Sequence, residues 1–306
     1  AAKGLHADLR LRLLPDLIEE TPASRGIFLA CFDGAKLPSA IAAFAPRGLD
    51  RLWLESDLGA ETTGLFIIHE ERGGLWYSER PRAESMNSTT PLALDLSALH
   101  YSVETTIRKN TDIEGRTALR LRSARNGVRV IPLDLFAKLR LSAVRVKRGE
   151  GPIVAVPYIQ GGEKSADPVL VILPLPLTAG EEAEISADYQ GDEVLQDAGE
   201  NNFYIGARQN WYPALNGMHD WAVYDLKYRI PKKRQIVSVG KLVDSAEDGD
   251  FAVSRYTSGA PVRTAGFNYG EFKLIERADP DSGVKIRVYT NPGEPNFAKQ
   301  LRALLP

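Results

Sequence analysis

Short apolar or alternating runs, divided by turn residues, dominate the chain from Ile27 to Thr290. A period of two places successive side chains on opposite faces of an extended backbone, so each run predicts a strand with one face in the core. The first group covers 27–32, 41–44, 52–55, 64–69 and 75–78, separated by Asp33-Gly34, Pro46-Arg47-Gly48 and Arg72-Gly73-Gly74. The second covers 97–108, 116–123, 128–135, 139–147, 153–158, 169–173, 182–190, 222–229, 235–242, 252–257, 264–275 and 284–290. Asn126-Gly127 and Glu114-Gly115 are read as turns within this second group. Helical spacing is confined to the two ends. Leu5, Leu9, Leu13, Leu14 and Ile18 form one stripe over 5–20, interrupted by Pro15, and 297–305 predicts a short helix after Asn291-Pro292-Gly293.

The polar stretch 80–91 (RPRAESMNSTTP) interrupts the strand pattern and reads as a linker. The expected fold is mainly β: a small β-rich or α+β domain over 1–92, then an antiparallel sandwich over 93–292. At 306 residues the chain exceeds the usual length of one domain, which agrees with a division in two.

Composition narrows the function more than it directs it. Hydrophobic residues at 43% and charged residues at 25% are those of an ordinary globular protein with a sizeable core. A net charge of −2 gives no electrostatic reason for a nucleic-acid partner. Arg116, Arg120 and Arg122 surround Leu119 and Leu121 in alternation, the pattern of the wet face of a half-buried strand. Cys31, the only cysteine, lies in an apolar run, so the expectation is a buried, inert thiol and no intrachain disulfide. No run of 18 or more apolar residues is present, so no membrane-spanning segment is expected in this chain. The chain begins Ala1-Ala2-Lys3 rather than with Met, which suggests a processed protein or an excised piece. Periplasmic or secreted and cytoplasmic locations all stay open.

The residues that carry chemistry are sparse. A zinc site of the H-E-x-x-H type needs two imidazoles one helical turn apart on the same side of a helix. Among His6, His69, His100 and His219 the nearest approach is His69-Glu70-Glu71-Arg72-Gly73, which lacks the second histidine. No serine sits in a G-x-S-x-G elbow, and Cys31 has no evident histidine partner. Gly161-Gly162 lacks the spacing of a phosphate loop, and Glu181, Glu182 and Glu184 open a strand. No catalytic and no metal-binding residue is therefore assigned in this chain. Phe203, Tyr204, Trp211, Tyr212 and Trp221 cluster in one loop-rich segment, either as a ligand platform or as the plug of a sandwich end.

Several short motifs then occur in a characteristic order. They include His100-Tyr101-Ser102-Val103-Glu104, Tyr189-Gln190-Gly191, Ala207-Arg208, Trp211-Tyr212-Pro213, Asp220 and Val223-Tyr224-Asp225-Leu226-Lys227-Tyr228-Arg229. Val237-Ser238-Val239-Gly240-Lys241-Leu242, Gly270-Glu271-Phe272 and Ile286-Arg287-Val288-Tyr289-Thr290-Asn291-Pro292-Gly293 follow. Taken in this order they resemble the N-terminal β domain of the aminopeptidase N family of zinc peptidases, over residues 97–293. The resemblance implies a saddle-like antiparallel β-sandwich that packs on a catalytic domain and helps close the substrate cleft. Residues 293–306 would be the start of that catalytic domain, truncated here.

By the same resemblance the parent protein would be a zinc metallo-aminopeptidase. This chain would hold no cofactor, and zinc is expected in the missing catalytic domain. The family's β domain touches the substrate N-terminus through a Gln or Glu shortly before the Ala-Arg pair. Residues 202–206 offer neither, and Glu200 and Gln209 are the nearest substitutes, though neither matches by position. Glu200, Arg208, Gln209 and Trp211 are thus the substrate-cleft candidates. The partners implied are the C-terminal catalytic domain of the same protein and, peripherally, a peptide substrate. The alternative is a stand-alone β-sandwich module that binds a protein or glycan through the aromatics between Phe203 and Trp221.

Overall fold

The computed structural model describes residues 18–19, 28–32, 39–45, 62–68, 74–79, 95–108, 111–163, 168–205, 210–215, 220–278 and 283–293. Among them the structure is mainly β, as the pattern predicts, with 21 strands. In chain order these are β1 (Phe28–Phe32), β2 (Ser39–Ala45), β3 (Thr62–Ile68), β4 (Gly74–Glu79), β5 (Leu96–Ile107), β6 (Ile113–Ser123) and β7 (Val128–Leu133). Then come β8 (Arg140–Arg148), β9 (Val154–Ala155), β10 (Tyr158–Ile159), β11 (Val169–Leu177), β12 (Glu182–Gly191), β13 (Gln196–Asp197) and β14 (Phe203–Tyr204). The last are β15 (Val223–Pro231), β16 (Gln235–Ser238), β17 (Lys241–Asp248), β18 (Phe251–Thr257), β19 (Phe267–Gly270), β20 (Lys273–Ala278) and β21 (Lys285–Thr290). The expected run 52–55, the terminal helix 297–305 and, apart from residues 18–19, the expected helix 5–20 lie outside the described residues.

The chain forms two compact units that interleave along the sequence. One comprises 1–97, 122–133 and 156–182, the other 98–121, 134–155 and 183–306. The first unit contains an antiparallel meander in the order β1-β2-β3-β4 and a separate sheet in the order β10-β11-β7. Strands β7 and β11 are almost continuously apolar and buried, from Val128 to Leu133 and from Val169 to Leu173. Glu19 is buried beside β7, with its side chain only 1% exposed. Its carboxylate accepts from Arg125 Nη2 at 2.5 Å and from the backbone N–H groups of Arg129 (3.2 Å) and Val130 (3.3 Å). A charge removed from water survives only with such partners.

The second unit is built on an eight-stranded sheet in the order β17-β18-β15-β5-β6-β12-β8-β9. Alternation in β6, β12 and β15, and in β5 from Tyr101 onward, turns Tyr101, Val103, Leu119, Leu121, Ile185, Tyr189, Tyr224, Leu226 and Tyr228 into the core. A four-stranded sheet, β13-β14-β19-β16, contributes Phe267 to this core, 4.9 Å from the ring of Tyr228. The opposite face of the large sheet is wet and laced by cross-strand ion pairs. Asp188 on β12 holds Arg116 of β6 at 2.5 Å and Arg145 of β8 at 2.7 Å. Arg116, Arg120 and Arg122 stand on that face, as their alternation with Leu119 and Leu121 requires.

Four details depart from the sequence expectation. The Glu114-Gly115 pair is not a turn but lies inside β6, where Gly115 leaves room for the buried ring of Tyr189. The run 235–242 is two strands in two sheets, because Gly240 at φ 87° turns the chain between β16 and β17. Gly270, at φ 154°, similarly ends β19 before β20 begins. Finally, β5 and β15 pair in parallel, with Val223 opposite His100, within an otherwise antiparallel expectation. A parallel pair demands a long crossover, and none of its determinants is local in sequence.

Candidate functional site

The segment that carries the sequence resemblance is held in the second unit by its aromatic residues. Phe203 pairs with Tyr269 across β14 and β19 and is buried, while the next residue, Tyr204, is 39% exposed by strand alternation. Trp211 is 0% exposed. Its indole stands edge-on to Tyr212 and Phe267, each at 5.0 Å, and Nε1–H donates to the Ala265 carbonyl at 2.9 Å. Tyr212 donates to the hydroxyl of Tyr224 at 3.1 Å, and the backbone N–H of Leu215 donates to the Tyr101 hydroxyl at 2.8 Å. The rings of Tyr101 and Tyr224 stack at 4.9 Å.

Burial pushes the phenols of Tyr101, Tyr189, Tyr212, Tyr224 and Tyr228 above their ordinary range, because an ion there would lose its hydration. They stay neutral at physiological pH and serve as hydrogen-bond partners rather than as acids or nucleophiles. This cluster is therefore packing, and Trp211 corrects the expectation of a cleft residue: it presents no surface to a ligand.

Glu200 has a defined structural task. The turn between β13 and β14 passes through three consecutive left-handed residues, Gly199 (φ 82°), Glu200 (φ 52°) and Asn201 (φ 61°). A side chain in that region carries a steric cost, which is tolerated where the surroundings hold it in place. Here Glu200 Oε2 accepts the backbone N–H of Gly293 at 2.7 Å. Asn202 Nδ2 donates to Asn291 Oδ1 at 2.8 Å, and Asn291 Nδ2 donates to the Ala198 carbonyl at 3.0 Å. The guanidinium of Arg234 donates to the Asn201 carbonyl at 2.5 Å. The bonds to Glu200, Asn202 and Ala198 latch residues 291–293, just past β21, onto the β13–β14 turn, and that of Arg234 holds the turn itself. A Cβ on Gly270 would strike the Asn202 side chain, and one on Gly293 would strike the Glu200 carboxylate.

Of the sequence-derived candidates, only Glu200 and Trp211 lie among the described residues. Glu200 belongs to the latch, Trp211 to the core, and Arg208 and Gln209 lie outside the described residues. Asn202, Asn291 and Arg234 escaped the sequence reading. The only signal was the density of turn residues in 197–202 and in Asn291-Pro292-Gly293.

Two aromatic residues of the segment do face solvent. Trp221 is 54% exposed, with the Arg263 guanidinium 4.9 Å from its ring centre. Asp220 beside it accepts the Ala98 backbone N–H at 2.5 Å, which anchors the start of β15 to β5. Elsewhere on the large sheet, His100 Nε2 is 2.9 Å from Asp225 Oδ2, and Lys227 Nζ is 3.6 Å from Glu104 Oε1.

Among the described residues no group of three or more His, Cys, Asp or Glu side chains is placed to hold a metal ion. The donor set of the described residues does not fit zinc. His6, His69 and His219 lie outside the described residues. No described helix is long and apolar enough to cross a membrane.

Comparison with known proteins gives a likeness in structure only. No protein-family model matches the chain, and no curated protein sequence matches it. Among solved structures, an M1 zinc metallopeptidase from Deinococcus radiodurans is similar at 21% identity and a TM-score of 0.55, over 69% of this chain and 53% of that one. A glutamate-to-alanine variant of that organism's M1 zinc metallopeptidase, bound to a Tyr-Ser-Ala substrate, gives the same values. A two-domain M1 zinc metallopeptidase variant bound to L-arginine is similar at 21% identity and a TM-score of 0.54, again over 69% and 53%. This chain therefore spans about half the length of the structures it matches, and shares with them the fold of the matched β-rich region.

Proposed function

We propose that this chain is the non-catalytic N-terminal region of a larger aminopeptidase-N-like zinc protease, in which it supports the catalytic domain and shapes one side of the substrate cleft. The observation that carries the reading is the fold likeness to two-domain zinc metallopeptidases, of which the chain spans about half. Two features of the second unit support it. The ribbon β20–β21 is a two-stranded sheet that leaves Leu274 (47%), Val284 (58%) and Ile286 (37%) exposed. Such a ribbon is marginal in water by itself and gains stability from a further strand or a covering helix. The latch at Glu200, Asn202 and Asn291 then fixes the direction in which the backbone leaves that ribbon. The zinc and the reacting groups belong, in this reading, to the catalytic domain, and peptide reaches this chain only at its periphery.

The test is to express these 306 residues alone and measure zinc content and hydrolysis of aminoacyl p-nitroanilides. The expected result is neither tight zinc nor turnover, together with an H-E-x-x-H motif and a distal glutamate in the coding sequence downstream of Pro306. Stoichiometric zinc with zinc-dependent turnover from this chain would overturn the proposal.

A second reading, a stand-alone sandwich that binds a protein or glycan, is favoured by the exposure of Trp221 under Arg263 and of Tyr204. Tryptophan, tyrosine and arginine are the residues enriched at binding hot spots. It requires a stop codon after Pro306 and a ligand whose binding is lost on Trp221→Ala.

A further inference from the structure

On the wet face of the eight-stranded sheet, in the second unit, lies a cavity of about 270 Å³ lined by Ser102, Glu104, Asp225, Leu226, Lys227, Val243, Arg255 and Tyr256. Strand register explains its charge pattern. Lys227 stands opposite Glu104 on β5 and opposite Arg255 on β18, so two cations are direct cross-strand neighbours. Like charges in that relation destabilise a sheet unless a counter-charge intervenes. Glu104 serves Lys227 at 3.6 Å. On its other side Arg255 stands opposite Asp244 of β17, but its guanidinium makes no ion pair among the described residues, with Asp244 or with any other acid. Asp225 lies one row away, opposite Thr257, and makes a single hydrogen bond, to His100 through Oδ2. Its Oδ1 is left to accept from another donor.

Arg255 and Asp225 are diagonal neighbours on adjacent strands, which places their Cβ atoms about 7 Å apart. The four charged groups of the wall, Glu104, Asp225, Lys227 and Arg255, carry no net charge, so the cavity offers two opposite poles rather than one sign of field. A simple anion gains at Arg255 and loses at Asp225, and a simple cation does the reverse. A molecule with both charges satisfies both poles. The β-bulge at Val243, where the register slips between Leu242 and Asp244, pushes an apolar side chain to the rim, 54% exposed, beside the span between the poles.

We propose that this cavity binds a small zwitterion of the amino-acid or dipeptide class, its carboxylate on Arg255 and its ammonium on Asp225. The volume lies just below the range of about 300–1,000 Å³ typical of drug-sized ligands, which suits an occupant of amino-acid or dipeptide size. The site is complete within this chain and does not rest on the peptidase reading.

The test is calorimetric titration of the full chain with glycine and glycylglycine, and with acetate and methylammonium as one-ended probes. The expected result is saturable zwitterion binding in the millimolar range, at least about tenfold tighter than either one-ended probe. Arg255→Gln and Asp225→Asn should each weaken it at least about tenfold. Both side chains are exposed, so the variants should fold, and the wild-type comparison decides the point even if one does not. Acetate binding as tightly as glycylglycine would overturn the proposal in favour of a plain anion site. Absence of saturable zwitterion binding, or binding unchanged in both variants, would overturn it as well.

Discussion

Replacing Trp211 separates a core role from a ligand-platform role. The indole is fully buried, touches Tyr212 and Phe267 edge-on, lies 6.3 Å from Tyr228, and satisfies the Ala265 carbonyl. Truncating a buried aromatic to alanine costs about 3–5 kcal/mol, from lost transfer energy and the cavity left behind. The orphaned carbonyl adds about 1–3 kcal/mol if no water replaces the indole N–H. The sum is comparable with the whole stability of a domain, about 5–15 kcal/mol. Trp211→Ala should therefore leave the second unit marginal or unfolded at 25 °C. Trp211→Phe keeps most of the packing but deletes the donor, and should cost about 1–3 kcal/mol. Urea unfolding followed by near-ultraviolet circular dichroism, which reports the tyrosine cluster, measures both. A loss below about 1 kcal/mol for Trp211→Ala would refute the packing account, because that is the scale of a surface substitution.

Three further outcomes follow from the same structure. Asp188 is held below the ordinary carboxylate range, first by its hydrogen bond from Arg116 and then by Arg145. Its contribution is present above the unfolded pKa of about 3.9 and lost as pH falls through the lower folded value. Asp188→Asn should cost about 1–2 kcal/mol at pH 7, discounted for the exposed Arg116, and the difference from wild type should shrink in acid melts as the pH falls through that lowered folded value. At the alkaline end, the raised phenols of Tyr101, Tyr189, Tyr212, Tyr224 and Tyr228 keep their protons in the folded state while the unfolded chain loses them near pH 10. Stability should therefore fall as pH rises past about 10, and ultraviolet titration should show these phenols ionising only on unfolding, with independent ionisation near 10 as the contrary result. At the latch, Glu200→Ala should speed hydrogen exchange in peptides that contain Gly293, whereas Glu200→Gly should also relieve the left-handed backbone. Unchanged exchange in Glu200→Ala would show that the carboxylate does not hold residues 291–293.

The large sheet shows where local pattern suffices. Arg116, Arg120 and Arg122 face water and Leu119 and Leu121 face the core because the pleat alternates, which needs no knowledge of the partner strands. The aromatic segment shows the limit. Phe203, Trp211 and Tyr212 are buried while Tyr204 and Trp221 are exposed, although all five are aromatic residues in one stretch. For Phe203 and Tyr204 strand alternation accounts for the division. For Trp211 the burial depends on Phe267 and Ala265, more than fifty residues away, which no local rule addresses. Glu200, a cleft candidate only as the nearest Glu before the Ala-Arg pair, accepts the backbone N–H of Gly293, a partner no local pattern discloses.

The sequence by itself determined that this is a mainly β protein, placed most of its strands and their wet faces, and ordered the motifs that resemble the aminopeptidase N β domain. Periodicity and turn chemistry act over a few residues, so they are legible without the fold. Only the tertiary structure decided the parallel pairing of β5 with β15, the passage from one sheet to another at Gly240, the latch on residues 291–293, and the charged cavity beside Arg255. Each joins positions whose order along the chain says nothing of their distance in space. Such contacts are selected by the summed packing of the unit rather than by any residue's own preference.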